Sequence, residues 1–117
     1  MSSSPITFNL IEGSVCFSFT PAAANNLKTA LHELTERMKA ASAKVASGGG
    51  KASPQEAMEY QYTGEVFLEI FCNPNIWATP FAAKVLITLR DERIRLSTEA
   101  ELTRVIEDVN QYLEQFG

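Results

Sequence analysis

Apolar and polar side chains alternate in four separate segments of the chain, and this pattern constrains the fold more than any other feature. The alternating segments are residues 6–11, residues 14–20, the longer stretch from Met58 to Cys72, and residues 84–90. A period of two is typical of β-strands that bury one face and leave the other exposed. The chain is therefore expected to build a sheet that needs a second layer on its apolar side.

Two further segments have the spacing of amphipathic helices and can supply that layer. The first helix is predicted over about 21–45, with Thr20 as N-cap and Pro21 at the first helical position. The second is predicted over about 98–115, because Thr98 and Glu101 have the spacing of a capping box. The apolar stripes are Leu27, Leu31, Leu34, Met38, Ala41 and Val45 in the first helix, and Leu102, Val105, Ile106, Val109, Leu113 and Phe116 in the second.

Short turns connect the predicted strands. Glu12-Gly13 separates the first two, and Asp91-Glu92 leads into a return strand over 93–96 with Ile94 and Leu96 inward. Gly64 leaves open whether residues 58–72 form one bent strand or two. The expected fold is α+β, two-layered, with a mostly antiparallel sheet and both helices on one face. Strand, acidic turn, strand and helix occur twice, which indicates either a duplicated ββα unit or a coincidence between two similar hairpin-helix units.

Length and composition bound the class of protein. A chain of 117 residues with 45% hydrophobic residues and a net charge of -4 is expected to form one domain over residues 1–117. A flexible loop is predicted at about 46–56, around three consecutive glycines. No apolar run approaches the ~18–20 residues of a membrane span, and the first residues lack a signal-peptide pattern, so a cytoplasmic location is expected. The acidic balance disfavours a duplex-DNA binder.

The residues that most often carry catalysis form no recognisable constellation. His32 is the only histidine, so it cannot share a metal with a second imidazole. Cys16 and Cys72 have no CxxC spacing and are interpreted as two reduced thiols. Glu65 and Glu69, if on one strand face, would lie about 13–14 Å apart, too far for a glycosidase pair. We therefore expect no enzyme, no catalytic residue, no cofactor and no metal.

The side of the sheet away from the helices is the first candidate interaction surface. Phe67 and Phe71 have the parity opposite to the core residues of their segment, and Arg93 and Arg95 point away from the inward side chains of theirs. Aromatic and arginine side chains on an open sheet bind single-stranded nucleic acid. They also form the anchors of protein interfaces. Acidic side chains beside the phenylalanines would repel phosphates, which favours a protein partner.

The segment from Asn73 to Phe81 is the second candidate. Trp77 and Phe81 lie four residues apart between Pro74 and Pro80, which indicates a stiff apolar loop. Loops of this kind often carry recognition. The alternative is that Trp77 folds back and fills one end of the core.

Two resemblances bear on function. The stretches from Tyr62 to Asn75 and from Arg90 to Leu96 resemble a family of small cyanobacterial proteins, a resemblance that implies no particular activity. The order of strands and helices resembles the Whirly and positive-cofactor type of single-stranded DNA-binding domain, which implies binding through a basic β-surface. The leading hypothesis is a non-enzymatic adaptor or assembly protein, homodimeric through the Phe67 and Phe71 face, with an unidentified protein partner. The alternative is a single-strand nucleic-acid binder that uses Phe67, Phe71, Arg93 and Arg95.

Overall fold

The computed structural model of the chain describes residues 4–46, residue 48 and residues 54–117. Within these residues two α-helices accompany two antiparallel sheets, which confirms the α+β prediction. Most of the loop predicted at about 46–56 lies outside the described residues. The elements in chain order are β1 (Ser4–Leu10), β2 (Gly13–Phe19), α1 (Pro21–Ala46), β3 (Met58–Thr63), β4 (Phe67–Cys72), a 3₁₀ turn (Pro74–Ile76), β5 (Lys84–Arg90), β6 (Arg95–Glu101) and α2 (Leu102–Phe116).

The first hairpin forms a two-stranded sheet of its own. Leu10 lies opposite Gly13, so the turn residues are Ile11 and Glu12, one position earlier than predicted. Gly13 has a φ of +107°, in the left-handed region that favours glycine. A short hairpin turn followed by a glycine with positive φ is a common connection between two antiparallel strands, because its backbone twist matches the twist of the strands. The glycine therefore begins β2 rather than completing the turn.

The other strands form a four-stranded antiparallel sheet in the order β3-β4-β5-β6. The stretch from Met58 to Cys72 is a hairpin of two strands, with Met58 opposite Cys72 and Thr63 opposite Phe67. Gly64 lies in the turn, where a Cβ would collide with the ring of Tyr62. Only a residue without a side chain fits there unless the ring moves, which explains the interruption in the alternating pattern.

Helix α2 begins at Leu102, four residues later than the predicted start at Thr98. Thr98 and Ala100 belong instead to β6, opposite Ile87 and Val85, and Ala100 is fully buried. The predicted capping box is wrong, since Glu101 occupies the N-cap position and makes no side-chain capping bond. Strand pairing along the whole of β5 overrides the local capping pattern, so residues 98–101 extend β6 instead of starting the helix.

The turn between β5 and β6 is also longer than predicted. Arg90 lies opposite Arg95, so residues 91–94 form the connection and Ile94 is 63% exposed rather than inward. The Asp91 carboxylate accepts the backbone N–H groups of Arg93 at 2.7 Å and Ile94 at 2.9 Å. These bonds lower the pKa of Asp91, because they stabilise its charged form. The Asp91 side chain and the backbone of Ile94 thus close the turn, while the Ile94 side chain stays exposed.

The core lies between the inner side of the four-stranded sheet, the first hairpin and both helices. The stripe of α1 is buried at Leu27, Leu31, Leu34 and Met38 but loses its cover near the C-terminal end, where Val45 is exposed. The predicted inward residues of β5, namely Val85, Ile87 and Leu89, are all buried. The order hairpin then helix occurs twice, as predicted. However, the first hairpin, β1-β2, forms a separate two-stranded sheet, whereas the second, β5-β6, is part of the four-stranded sheet. Duplication therefore stays a prediction.

Polar side chains at Tyr60 and Asp108 connect the helices to the strands. The buried Tyr60 hydroxyl of β3 donates to the carbonyl of Ala23 in α1 at 3.1 Å. Burial raises the pKa of Tyr60 because the charged phenolate would lose its hydration. On the other side, the buried Asp108 of α2 accepts the backbone N–H of Asn9 at 2.8 Å and its side-chain amide at 2.9 Å. Asp108 thus connects α2 to β1 across most of the length of the chain.

The two thiols have opposite environments, which predicts different reactivity. Cys16 is exposed on β2, whereas Cys72 is buried at the end of β4 and burial raises the pKa of its thiol to about 11. Because only the thiolate attacks electrophiles, iodoacetamide at pH 8 is expected to alkylate Cys16 at least tenfold faster than Cys72. Peptide mass spectrometry of the folded protein measures both rates, and equal labelling would contradict the structure. The Cys16→Ser variant, labelled before and after denaturation, is the control.

Candidate interaction surface

The side of the four-stranded sheet that faces away from the helices is called the outer face. Directly opposite residues on neighbouring antiparallel strands share a face, so the register assigns its members without ambiguity. Three rows cross the sheet from β3 to β6. The basic row is Thr63, Phe67, Arg90 and Arg95; the middle row is Gln61, Glu69, Thr88 and Ser97; the acidic row is Glu59, Phe71, Leu86 and Glu99.

The acidic row has an apolar centre between two carboxylates. Phe71 and Leu86 lie opposite each other on β4 and β5 and are 37% and 45% exposed. Glu59 and Glu99 occupy the same row on the two edge strands, and both are exposed. An apolar pair enclosed by charges resembles the anchor and rim of a protein interface.

The basic row combines an aromatic ring with two arginines. The guanidinium carbon of Arg90 lies 4.4 Å from the centre of the Phe67 ring, which is within cation–π range. Arg95 lies directly opposite Arg90, and like charges in that position destabilise a strand pair. Arg93, predicted to belong to this surface, lies in the turn at 91–94 beside the row rather than in a strand.

The middle row separates the two charged rows and is the most closely packed. Thr88 is only 8% exposed although it points to the outer face. The side-chain amide of Gln61 donates to Glu69 Oε2 at 3.1 Å, which holds the carboxylate toward β3. A partner that binds the outer face would therefore contact a recessed middle row, with the basic row on one side of it and the acidic row on the other.

The 73–81 segment divides its two aromatic residues between core and solvent. Trp77 is half-buried, packs against the core and lines a groove of about 490 Å³ beside the last turns of α1. Phe81 is 79% exposed. The side chain of Asn75 holds this segment to residue 55, since it accepts the N–H of Gln55 at 2.7 Å and donates to its carbonyl at 2.8 Å. Trp77 thus fits the core interpretation, and Phe81 is the residue left for recognition.

The remaining residues considered for chemistry are dispersed. His32 is exposed on α1 and lines a groove of about 220 Å³ between the two helices, whereas Cys16 lies on β2 and Cys72 at the end of β4. Glu65 lies in the turn before β4, so it does not share a strand face with Glu69. Among residues 4–46, 48 and 54–117, no group of three or more histidine, cysteine, aspartate or glutamate side chains could hold a metal ion.

Two kinds of residue on the outer face were harder to find from the sequence. Leu86 and Arg90 share the alternation of β5 with Thr88, so their place was available from parity, but their contact with β4 depends on strand pairing. Glu99 was assigned to the second helix, and only the true start of α2 places it on the outer face. Glu99 therefore became visible as a member of the outer face only with the observed register and helix start.

Comparisons with other proteins give no relative from which a role for these surfaces could be inferred. In the described part of the chain, neither helix is both long and apolar enough to pass through a membrane. No protein-family model, no curated protein and no solved structure matches the chain.

Proposed function

We propose that the protein is a non-enzymatic, cytoplasmic interaction or assembly protein that forms a homodimer through its outer face. The observation that carries this proposal is the exposed Phe71 and Leu86 pair on a regular sheet surface. Removing apolar surface from water contributes about 25 cal/mol per Å², and aromatic anchors dominate most protein interfaces. Glu59 and Glu99 on either side supply the polar rim that gives such a contact its orientation.

The size of the outer face sets the expected strength of the dimer. Its strands contain six or seven residues each. With strands about 4.8 Å apart and about 3.4 Å per residue, the flat footprint is roughly 400 Å² per protomer. Stable interfaces bury about 800 Å² of accessible surface per partner, so this dimer belongs at the lower end of the range. We expect it to dissociate on dilution at roughly micromolar concentrations.

The 73–81 segment is proposed as the contact for a second protein partner. Ile76 is 66% exposed and Phe81 is 79% exposed, and both lie outside the three rows of the outer face. Asn75 and Trp77 anchor the segment, so its exposed side chains are presented on a fixed backbone. A dimer would present two such segments, which is the arrangement that an assembly protein needs to connect two copies of a partner.

Single-strand nucleic-acid binding is the second candidate, and Arg90, Arg93 and Arg95 at one end of the sheet favour it. Two observations weigh against it. Arg90 already covers the ring of Phe67, which leaves that face of the ring closed to a stacked base. The carboxylates of Glu59, Glu69 and Glu99 share the same face and would repel a phosphate backbone.

Light scattering with size exclusion, joined to an oligonucleotide shift assay, separates the two functions. We expect the mass to rise from one to two chains as the loaded concentration increases from about 1 to 200 µM, in line with a weak interface. We expect no oligonucleotide shift even at low salt. A monomer at every concentration would contradict the proposal. Oligonucleotide affinity that falls steeply with salt and with Phe67→Ala would establish the alternative.

A further inference from the structure

The outer face is complementary in charge to itself, and this restricts how two copies can meet. Its basic row has Arg90 and Arg95, its acidic row has Glu59 and Glu99, and the middle row lies between them. Arg95 and Glu99 both lie on β6, four residues and so about 13–14 Å apart, too far to pair within one chain. In the described part of the chain neither has an ion-pair partner.

Two face-to-face arrangements with two-fold symmetry are available to stacked sheets whose strands run nearly parallel or antiparallel. With the symmetry axis along the strands, each row lies over the same row of the second copy in reverse order, so Glu59 meets Glu99 and Arg95 meets Thr63. With the axis across the strands, along the middle row, the basic row of each copy lies over the acidic row of the other. Only the second arrangement brings unlike charges together.

We propose that the outer face binds a second copy of this chain with the two-fold axis along the middle row. This inference rests on the proposed homodimer and specifies its geometry. Arg95 of each copy then lies over Glu99 of the other, so one symmetry axis forms two ion pairs. Phe67 and Arg90 of each copy lie over Phe71 and Leu86 of the other, which buries the exposed apolar pair under the stacked ring and guanidinium.

Because the symmetry axis runs along the middle row, each residue of that row lies over the same residue of the second copy. Ser97 meets Ser97 and Glu69 meets Glu69, while stacked sheets lie about 10 Å apart. Glu69 is the one acidic side chain in an unfavourable position, and its bond to Gln61 at 3.1 Å turns it toward β3. Replacing it by Glu69→Gln is therefore expected to tighten the dimer several-fold, and a looser dimer would contradict this arrangement.

Charge reversal tests the predicted pairing. Arg95→Glu and Glu99→Arg are each expected to weaken the dimer about tenfold or more, because each places like charges together twice. The double variant, which exchanges the two charges, is expected to recover most of the affinity. An equimolar mixture of the two single variants is expected to form mixed dimers in preference to either homodimer. Lys28→Glu and Glu33→Arg on the exposed side of α1 are matched reversals that should leave the dissociation constant unchanged.

Cross-linking tests the position of the axis. In a Cys16→Ser background, Ser97→Cys is expected to link to its own copy through a short bismaleimide, whereas Ser14→Cys on the first hairpin is not. An axis along the strands would place the two β6 strands on opposite sides and prevent this link. A dimer that forms but shows neither charge rescue nor the Ser97→Cys link would overturn this geometry and leave the proposed function standing. A protein that stays monomeric would overturn both.

Discussion

Replacing Phe19 by alanine is expected to cost about 3–5 kcal/mol of folding free energy. Phe19 is fully buried. The centre of its ring lies 5.8 Å from the ring centre of Phe17, 4.9 Å from that of Tyr62 and 5.9 Å from that of Tyr112. These neighbours belong to the first hairpin, the four-stranded sheet and α2, so one ring joins three parts of the fold. Its removal leaves a cavity that none of the three can fill without moving away from the others.

Guanidinium chloride denaturation measures this loss directly. Domains of this size have a total stability of roughly 5–15 kcal/mol, so the variant should remain folded only marginally or unfold at room temperature. Phe81→Ala removes the same side chain at a position that is 79% exposed and should change the stability by less than about 0.5 kcal/mol. A Phe19→Ala variant within about 1 kcal/mol of the wild type would show that the first hairpin does not pack as described.

The second large effect is expected at Asp108, where alanine should cost about 2–3 kcal/mol. Its carboxylate accepts two hydrogen bonds from Asn9, at 2.8 and 2.9 Å, and Arg104 Nε lies 3.6 Å from it. Without the carboxylate, two donors of Asn9 lose their partner in a partly buried place. An unsatisfied donor costs more than the net value of the bond that it made.

A double-mutant cycle isolates this contact. Asn9→Ala and Asp108→Ala should each destabilise the protein, and the pair together should cost clearly less than the two effects added. Glu107→Ala, on the adjacent exposed position of α2, should be nearly neutral, because its ion pair with Arg104 is on the surface. Additive effects at Asn9 and Asp108 would contradict the connection between β1 and α2.

Local chemistry explains why much of this fold was predictable. Alternation over residues 84–90 identified the buried side of β5 correctly, and the spacing of Leu27, Leu31 and Leu34 located α1 to within one residue at its C-terminal end. Thr98 shows where local reasoning fails. Its hydroxyl and the carboxylate three residues later fit a helix start, but pairing with Ile87 extends the strand instead. Tertiary pairing is invisible to a pattern that involves only neighbours along the chain.

The candidate surface was predictable in part for the same reason. Parity placed Phe67, Phe71 and Arg95 on the outer face, because alternation depends on each strand alone. The contact of Arg90 with Phe67 and the position of Glu99 depend on which strands are neighbours and in what register. Alternation also shows which side of a strand is buried but not which strands share a sheet, so the separate first hairpin was not foreseen.

Sedimentation equilibrium of two lysine variants tests the central claim, that the outer face is a protein-binding surface that pairs with its own copy. Leu86→Lys places a charge in the apolar centre of the face, and Ile11→Lys makes the same kind of change on the first hairpin; the native side chains are 45% and 50% exposed. We predict that the wild type and Ile11→Lys share one dimer dissociation constant, while Leu86→Lys weakens the dimer at least tenfold. Equal dimerisation of all three proteins, or no dimer in any of them, would contradict the account.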